Sequence, residues 1–253
     1  MLQPHSFLWH YLSVAPGVLL ALLAFLMWRR GLHREFPAFF SYAIFEAAGG
    51  EILYAIDVIP SISAEVYWRS YLLFLVLEAF IKFAVIGEVF THLLRHYPPL
   101  GRFAKALITG VGIILVFAAT VIAAYANPTP FWLISGTRTL SRSVTVVQCG
   151  LISFLLVFAT HFHLKWKQAV FGIALGFAVL ASVSLAHWAL LADRLLGQKT
   201  YLLDFVIMVT YQVCVLIWFY YLLVPQKSAA PSTEALPEHN LELWNRELER
   251  LLR

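Results

Sequence analysis

At 253 residues, with 61% hydrophobic and 13% charged side chains and a mean hydropathy of +0.78, the chain is too apolar for a soluble globular domain, where the apolar share is roughly 45–50%. Its formal charge of +4 comes from lysines and arginines scattered between apolar runs, which leaves no basic block for nucleic acid and excludes that class of partner. Two cysteines, Cys149 and Cys214, both lie inside apolar runs, which argues against a disulfide framework.

Runs of about twenty apolar residues, the length that crosses roughly 30 Å of hydrocarbon, fall near 7–28, 37–58, 67–90, 104–126, 139–163, 169–191 and 201–224. They predict an all-α, polytopic seven-transmembrane-helix bundle over residues 1–224. The opening MLQPHSFLWHY has no basic region ahead of an apolar core, so the first run reads as a retained helix and not as a signal peptide. Trp9, Trp28, Trp68, Trp132, Trp166 and Trp188 sit near run ends, where amphipathic rings favour the headgroup layer.

The connections after the first, third, fifth and seventh runs carry Arg29, Arg30, Arg34, Arg95, Arg102, Lys105, Lys165, Lys167 and Lys227. The other side carries Arg69, Arg138, Arg142, Arg194 and Lys199. Nine cations against five place the N-terminus outside and the C-terminus in the cytoplasm. After the seventh run, residues 225–237 read as a polar linker and 238–253, EHNLELWNRELERLLR, as a short cytoplasmic amphipathic helix. Leu241, Trp244, Leu248 and Leu251 recur there at helical spacing, opposite Glu242, Arg246, Glu249 and Arg250.

The second run contains FEAAGGEILYAID, residues 45–57, with three carboxylates where hydrocarbon tolerates none easily. At 100° per residue Glu46 and Asp57 fall within about 20° of each other and about 16 Å apart, whereas Glu51 points about 140° away from Glu46. Asp57 reaches the outer interface and its water; Glu46 lies near mid-bilayer and Glu51 in the outer half. Gly49 and Gly50, between them, suggest close approach of a neighbouring backbone.

In the third run Glu78 and Lys82 are spaced i, i+4 with the acid N-terminal, the better order for an ion pair, at the depth of Glu46 and on one stripe with Tyr67 and Tyr71. A charge at the centre of a span costs about 2.5–3.5 kcal/mol, so these two acids and one base are expected to be paired or partly protonated. Glu88 lies nearer the inner face, within reach of water. The fifth run carries a stripe of Arg138, Arg142, Thr145, Cys149 and Ser153, the sixth Ser184, His187 and Arg194, and the seventh Asp204 and Tyr211 with Gln212 beside them. If these faces converge, they enclose a polar cavity open to the outer side. The candidate ligand-binding or coupling residues are therefore Glu46, Glu51, Tyr71, Glu78, Lys82, Arg138, Arg142, His187, Asp204, Tyr211 and Gln212. The plain alternative for each is an interhelical hydrogen bond worth about 0.6 kcal/mol.

Several chemistries lack their residues. A retinal Schiff base needs a lysine in the last run, which has none. The runs carry few of the hinge prolines of seven-helix sugar transporters, His10 and His187 give at most one haem-like pair, and His161 and His163 diverge by about 200° on a helix, too far to share a metal. Cys149, His187 and Arg142 supply the residue types of nucleophile, base and oxyanion stabiliser without any local signature. No cofactor and no metal is expected. The leading expectation is a multi-pass receptor or sensory module of the cell membrane (the inner membrane in a bacterium), embedded in the lipid bilayer. It would bind a small-molecule or lipid ligand in the polar cavity and signal through 238–253 to a protein partner or by self-association. The alternatives are a proton- or ion-coupled transporter using Glu46, Glu78 and Lys82, and a non-catalytic subunit of a membrane complex.

Overall fold

A proline, a glycine and one carboxylate organise the first turn of the chain. The computed structural model describes residues 7–58, 64–93, 110, 113, 130–161, 168–192 and 200–224. Helix α1, Phe7–Arg29, stops where Gly31 takes a left-handed φ of 74°, a conformation open to glycine without a Cβ penalty. A 3₁₀ turn, Leu32–Arg34, then leads into α2, Pro37–Val58. Pro37 occupies the first helical position, where its missing N–H costs nothing. The next two amides, of Ala38 and Phe39, each donate at 3.0 Å to the carboxylate of Glu88. Glu88 belongs to α3, Ala64–Leu93, so one helix caps the start of its neighbour. The sequence expectation that Glu88 simply reaches water is thereby corrected: an orphaned helix N-terminus is a closer and better-aligned partner.

Three more helices follow: α4, Pro130–His161, α5, Gln168–Ala192, and α6, Thr200–Leu223. Helix α4 begins nine residues before the fifth apolar run, because FWLISGTRT continues the helix beyond the strictly apolar stretch. Among the described residues, five of the six α-helices are long and apolar enough to cross a membrane, by length and composition. Helix α3 has the length, 30 residues, but carries Glu78, Lys82 and Glu88 in its body. The chain is thus a helical protein of membrane type. Its outward surface agrees, since Val18, Leu22, Ile52, Leu73, Val157 and Val213 are all exposed. The predicted fourth run lies outside the described residues except for Gly110 and Ile113, both helical. The linker 225–237 and the helix 238–253 also lie outside them. The chain divides into two units after Leu223.

The six helices close a ring: each packs on the next in chain order, α6 packs back on α1, and α5 also touches α3. Side-chain contacts fix the directions. His10 Nδ1 and the Tyr54 hydroxyl, 2.7 Å apart, join the start of α1 to the end of α2. Arg30 Nη1 donates to the Leu223 carbonyl at 2.5 Å and joins the ends of α1 and α6. Phe90 stacks near Phe154, which brings the end of α3 to the end of α4.

At the end where α1, α3, α4 and α6 finish, the bundle is shut. Phe39, Tyr42, Phe177 and Trp218 are buried against one another, with ring centroids 5.0–6.4 Å apart. Gly172 and Gly176 of α5 make room for Tyr221 and Trp218 of α6; a Cβ at either glycine would strike the aromatic side chain. The Trp218 indole N–H donates to the Ile173 carbonyl at 3.4 Å, and the Cys214 thiol donates to that of Gly176 at 3.2 Å.

Candidate functional site

One turn beyond Tyr42 on α2 the packing opens. Glu46 follows Tyr42 at i, i+4 and therefore shares its inward face. From this point toward the end where α2 and α5 finish, a cavity of about 460 Å³ runs between the helices, within the size range of small-molecule sites. Its wall takes Glu46 from α2, Tyr71, Glu78 and Lys82 from α3, Ser141, Thr145 and Gln148 from α4, Ser184, His187 and Trp188 from α5, and Asp204 and Tyr211 from α6. Leu75, Ala79, Val144, Leu180, Ile207 and Met208 fill the spaces between them.

The expected ion pair is present: the Lys82 ammonium donates to the Glu78 carboxylate one turn earlier on α3. Glu46 approaches this pair from α2 and interacts electrostatically with both members. Oε1 of Glu46 is buried without a well-formed hydrogen bond, with the Glu78 carboxyl and the Tyr211 hydroxyl beside it. The Tyr211 hydroxyl, which has Tyr42 and Glu46 beside it, Nε2 of Gln148 and Nδ1 of His187 are likewise buried without one, all on the same wall. Buried polar atoms are nearly always paired in native proteins, so four such atoms around one space mark it as a place for polar guests, water included.

Seven of the predicted site residues therefore meet: Glu46, Tyr71, Glu78, Lys82, His187, Asp204 and Tyr211. Three others do not join them, and the fourth lies outside what the structure describes. Glu51 turns away from the cavity toward Gly17 of α1, where a Cβ would meet its carboxylate, in keeping with its 140° offset from Glu46. Arg142 is exposed and off the wall. Gln212 has a buried, unpartnered Oε1 but is not part of the wall. The side chain of Arg138 lies outside the described residues.

The error on α4 has a simple cause. The inward row is Ser141, Val144, Thr145 and Gln148, one residue away from the row of Arg142 and Cys149, and a charged residue in an apolar run draws attention to the wrong face. Gln148 and Ser141 went unnoticed, although their i, i+3, i+4, i+7 spacing with the buried Val144 and Thr145 carries the signal. Gly49 also behaves differently from expectation: the ring of Phe74, stacked on Phe45, fills the space over it, and Gly50 faces nothing within 4 Å.

The set Cys149, His187 and Arg142 is not gathered, since only His187 lines the cavity. Among the described residues no group of three or more His, Cys, Asp or Glu side chains is arranged to hold a metal ion. What the wall offers is one carboxylate with an unpartnered oxygen, an acid–base pair beside it, a second carboxylate at Asp204, and a row of neutral hydrogen-bonding groups on α4 and α5. The comparisons with known proteins found no matching family model, no matching curated protein and no matching solved structure.

Proposed function

We propose that this chain is an integral membrane receptor or sensory module that binds a small or amphipathic ligand in the cavity between α2 and α6. The observation that carries the reading is the convergence of polar side chains from five helices, four of them with unpartnered buried atoms, on one space. Isolated interhelical hydrogen bonds would be distributed along the bundle and would satisfy the groups involved. With the N-terminus outside, as the cation bias suggests, the cavity opens toward the external leaflet of the cell membrane. Output would then pass to a protein partner through residues 238–253 at the cytoplasmic side.

A second reading has its own support. Glu46, with one free carboxylate oxygen beside the Glu78–Lys82 pair, has the form of a proton or ion relay in a coupled transporter. Proteoliposomes loaded with a pH-sensitive dye separate the two. A receptor passes no protons down an imposed gradient, in the native chain or in Glu46→Gln. A proton flux in the native chain that disappears in Glu46→Gln would replace the receptor reading with the transporter.

A further inference from the structure

The polar groups of the cavity are distributed unequally, and the inequality specifies a ligand chemistry. Resting on the ligand-site reading above, we infer that the cavity takes an organic cation, a protonated primary amine whose ammonium sits at Glu46 and whose amphipathic body lies along α4 and α5.

Among the described residues, the charges on the wall come from three carboxylates, Glu46, Glu78 and Asp204, and one lysine, Lys82, with His187 the remaining titratable group apart from the phenols of Tyr71 and Tyr211. No described side chain of α4 brings a charge to the wall. Lys82 donates to Glu78 and only interacts with Glu46 at longer range, which leaves Glu46 and the exposed Asp204 without an ion pair, and Glu46 is the less exposed of the two. Among the described side chains, only a committed lysine would receive an anionic ligand. A neutral hydroxyl donates one hydrogen bond to Glu46 but leaves the excess of acid uncompensated. An ammonium brings three donors and no acceptor, which suits Glu46 Oε1 together with the Tyr211 hydroxyl.

The opposite side of the cavity has different requirements. Helices α2 and α4 are not packed against each other, and the cavity lies between them. Gln148, 7% exposed, presents its unpartnered Nε2 there, beside Thr145 and Ser141, and this donor suits a ring face or a weak acceptor on the far end of the ligand. The wall also carries the aromatic rings of Tyr71, Trp188 and Tyr211 and the aliphatic groups of Leu75, Leu180 and Met208. Aromatic rings near a desolvated cation add further attraction. A bare metal ion is a poorer fit, because no three potential metal ligands among the described residues come together.

Three probes of one skeleton test the charge: phenethylamine, 2-phenylethanol and phenylacetate, titrated into the purified full chain in lipid nanodiscs by calorimetry at neutral pH. Phenethylamine is expected to bind at least about tenfold more tightly than either analogue. Glu46→Gln should remove that advantage, Glu46→Asp should keep most of it, and Ser184→Trp should block binding by filling the cavity. Thermal unfolding of each variant confirms that it is folded. Equal or tighter binding of phenylacetate or 2-phenylethanol, blocked by Ser184→Trp, would overturn the cation assignment and leave the ligand site standing. Amine binding that survives Ser184→Trp would overturn both. No binding of any probe at millimolar concentration would overturn the inference.

Discussion

The two ends of the bundle use the same helices to opposite effect. At the closed end, glycines on α5 admit the large rings of α6, four aromatic side chains fill the centre, and Glu88 directs both carboxylate oxygens to backbone amides of α2. At the open end, the helices hold their polar side chains around 460 Å³ of space, and the acid facing it, Glu46, keeps an oxygen without a partner. Both are glutamates inside apolar helices. The difference between a structural carboxylate and a candidate site lies in the completeness of its hydrogen bonding, which is a property of the neighbours and not of the residue.

If the closed end is the mechanical base of the bundle, the largest stability effect should arise there. Trp218 is fully buried among Phe39, Tyr42 and Phe177. In lipid the transfer part of a large-to-small substitution shrinks, because acyl chains are as apolar as the core, but the lost contacts and the void remain. Trp218→Ala is expected to cost about 3 kcal/mol, measured by thermal or denaturant unfolding in a mild detergent. A cost below about 1 kcal/mol would mean that this end is no better packed than the cavity end.

Glu88 comes next. Replacing it with alanine strips the acceptor from two amides at the start of α2, groups that the helix itself cannot satisfy. The expected loss is about 2 kcal/mol, between that of an ordinary helix cap and that of a buried charged hydrogen bond. Glu88→Gln should restore part of it, since one amide oxygen replaces two carboxylate oxygens. Hydrogen exchange at Ala38 and Phe39 offers a local check: it should accelerate in Glu88→Ala more than elsewhere in α2. Uniform acceleration would show that the cap is not what anchors this end.

How much of this contrast the sequence discloses depends on the kind of information required. Apolar run length picks out α1, α2, α5 and α6, because span length is dictated by bilayer thickness. Local spacing likewise gave the Glu78–Lys82 pair and the divergence of Glu51 from Glu46, since both are angles along one helix. Rotation of one helix against another is not encoded in that way. Arg142 and Cys149 lie one residue from the inward row of α4 and were assigned to the wrong face, whereas Gln148 was missed. The capping role of Glu88 was equally hidden, for it joins residues 50 and 49 positions apart in the chain. Helix α4 begins at Pro130, ahead of an apolar stretch that starts at Thr139: hydropathy reports where a helix is apolar, and FWLISGTRT is helical without being uniformly so.

The smallest expected effect is the most informative, because it sets the two glutamates directly against each other. Glu46→Gln removes the ionisable carboxyl without removing the shape, and it leaves the Lys82 ammonium paired with Glu78. No described backbone amide depends on Glu46, and an incompletely paired buried carboxyl stabilises little or nothing. Unfolding stability should therefore stay within about 0.5 kcal/mol of the native chain or rise slightly, in the same detergent in which Glu88→Ala loses about 2 kcal/mol. A loss at Glu46 as large as that at Glu88 would make it a second structural carboxylate holding α2 to α3. The cavity would then be a packing defect beside an ion-pair network, and the distinction between the two ends of the bundle would reduce to one of packing density.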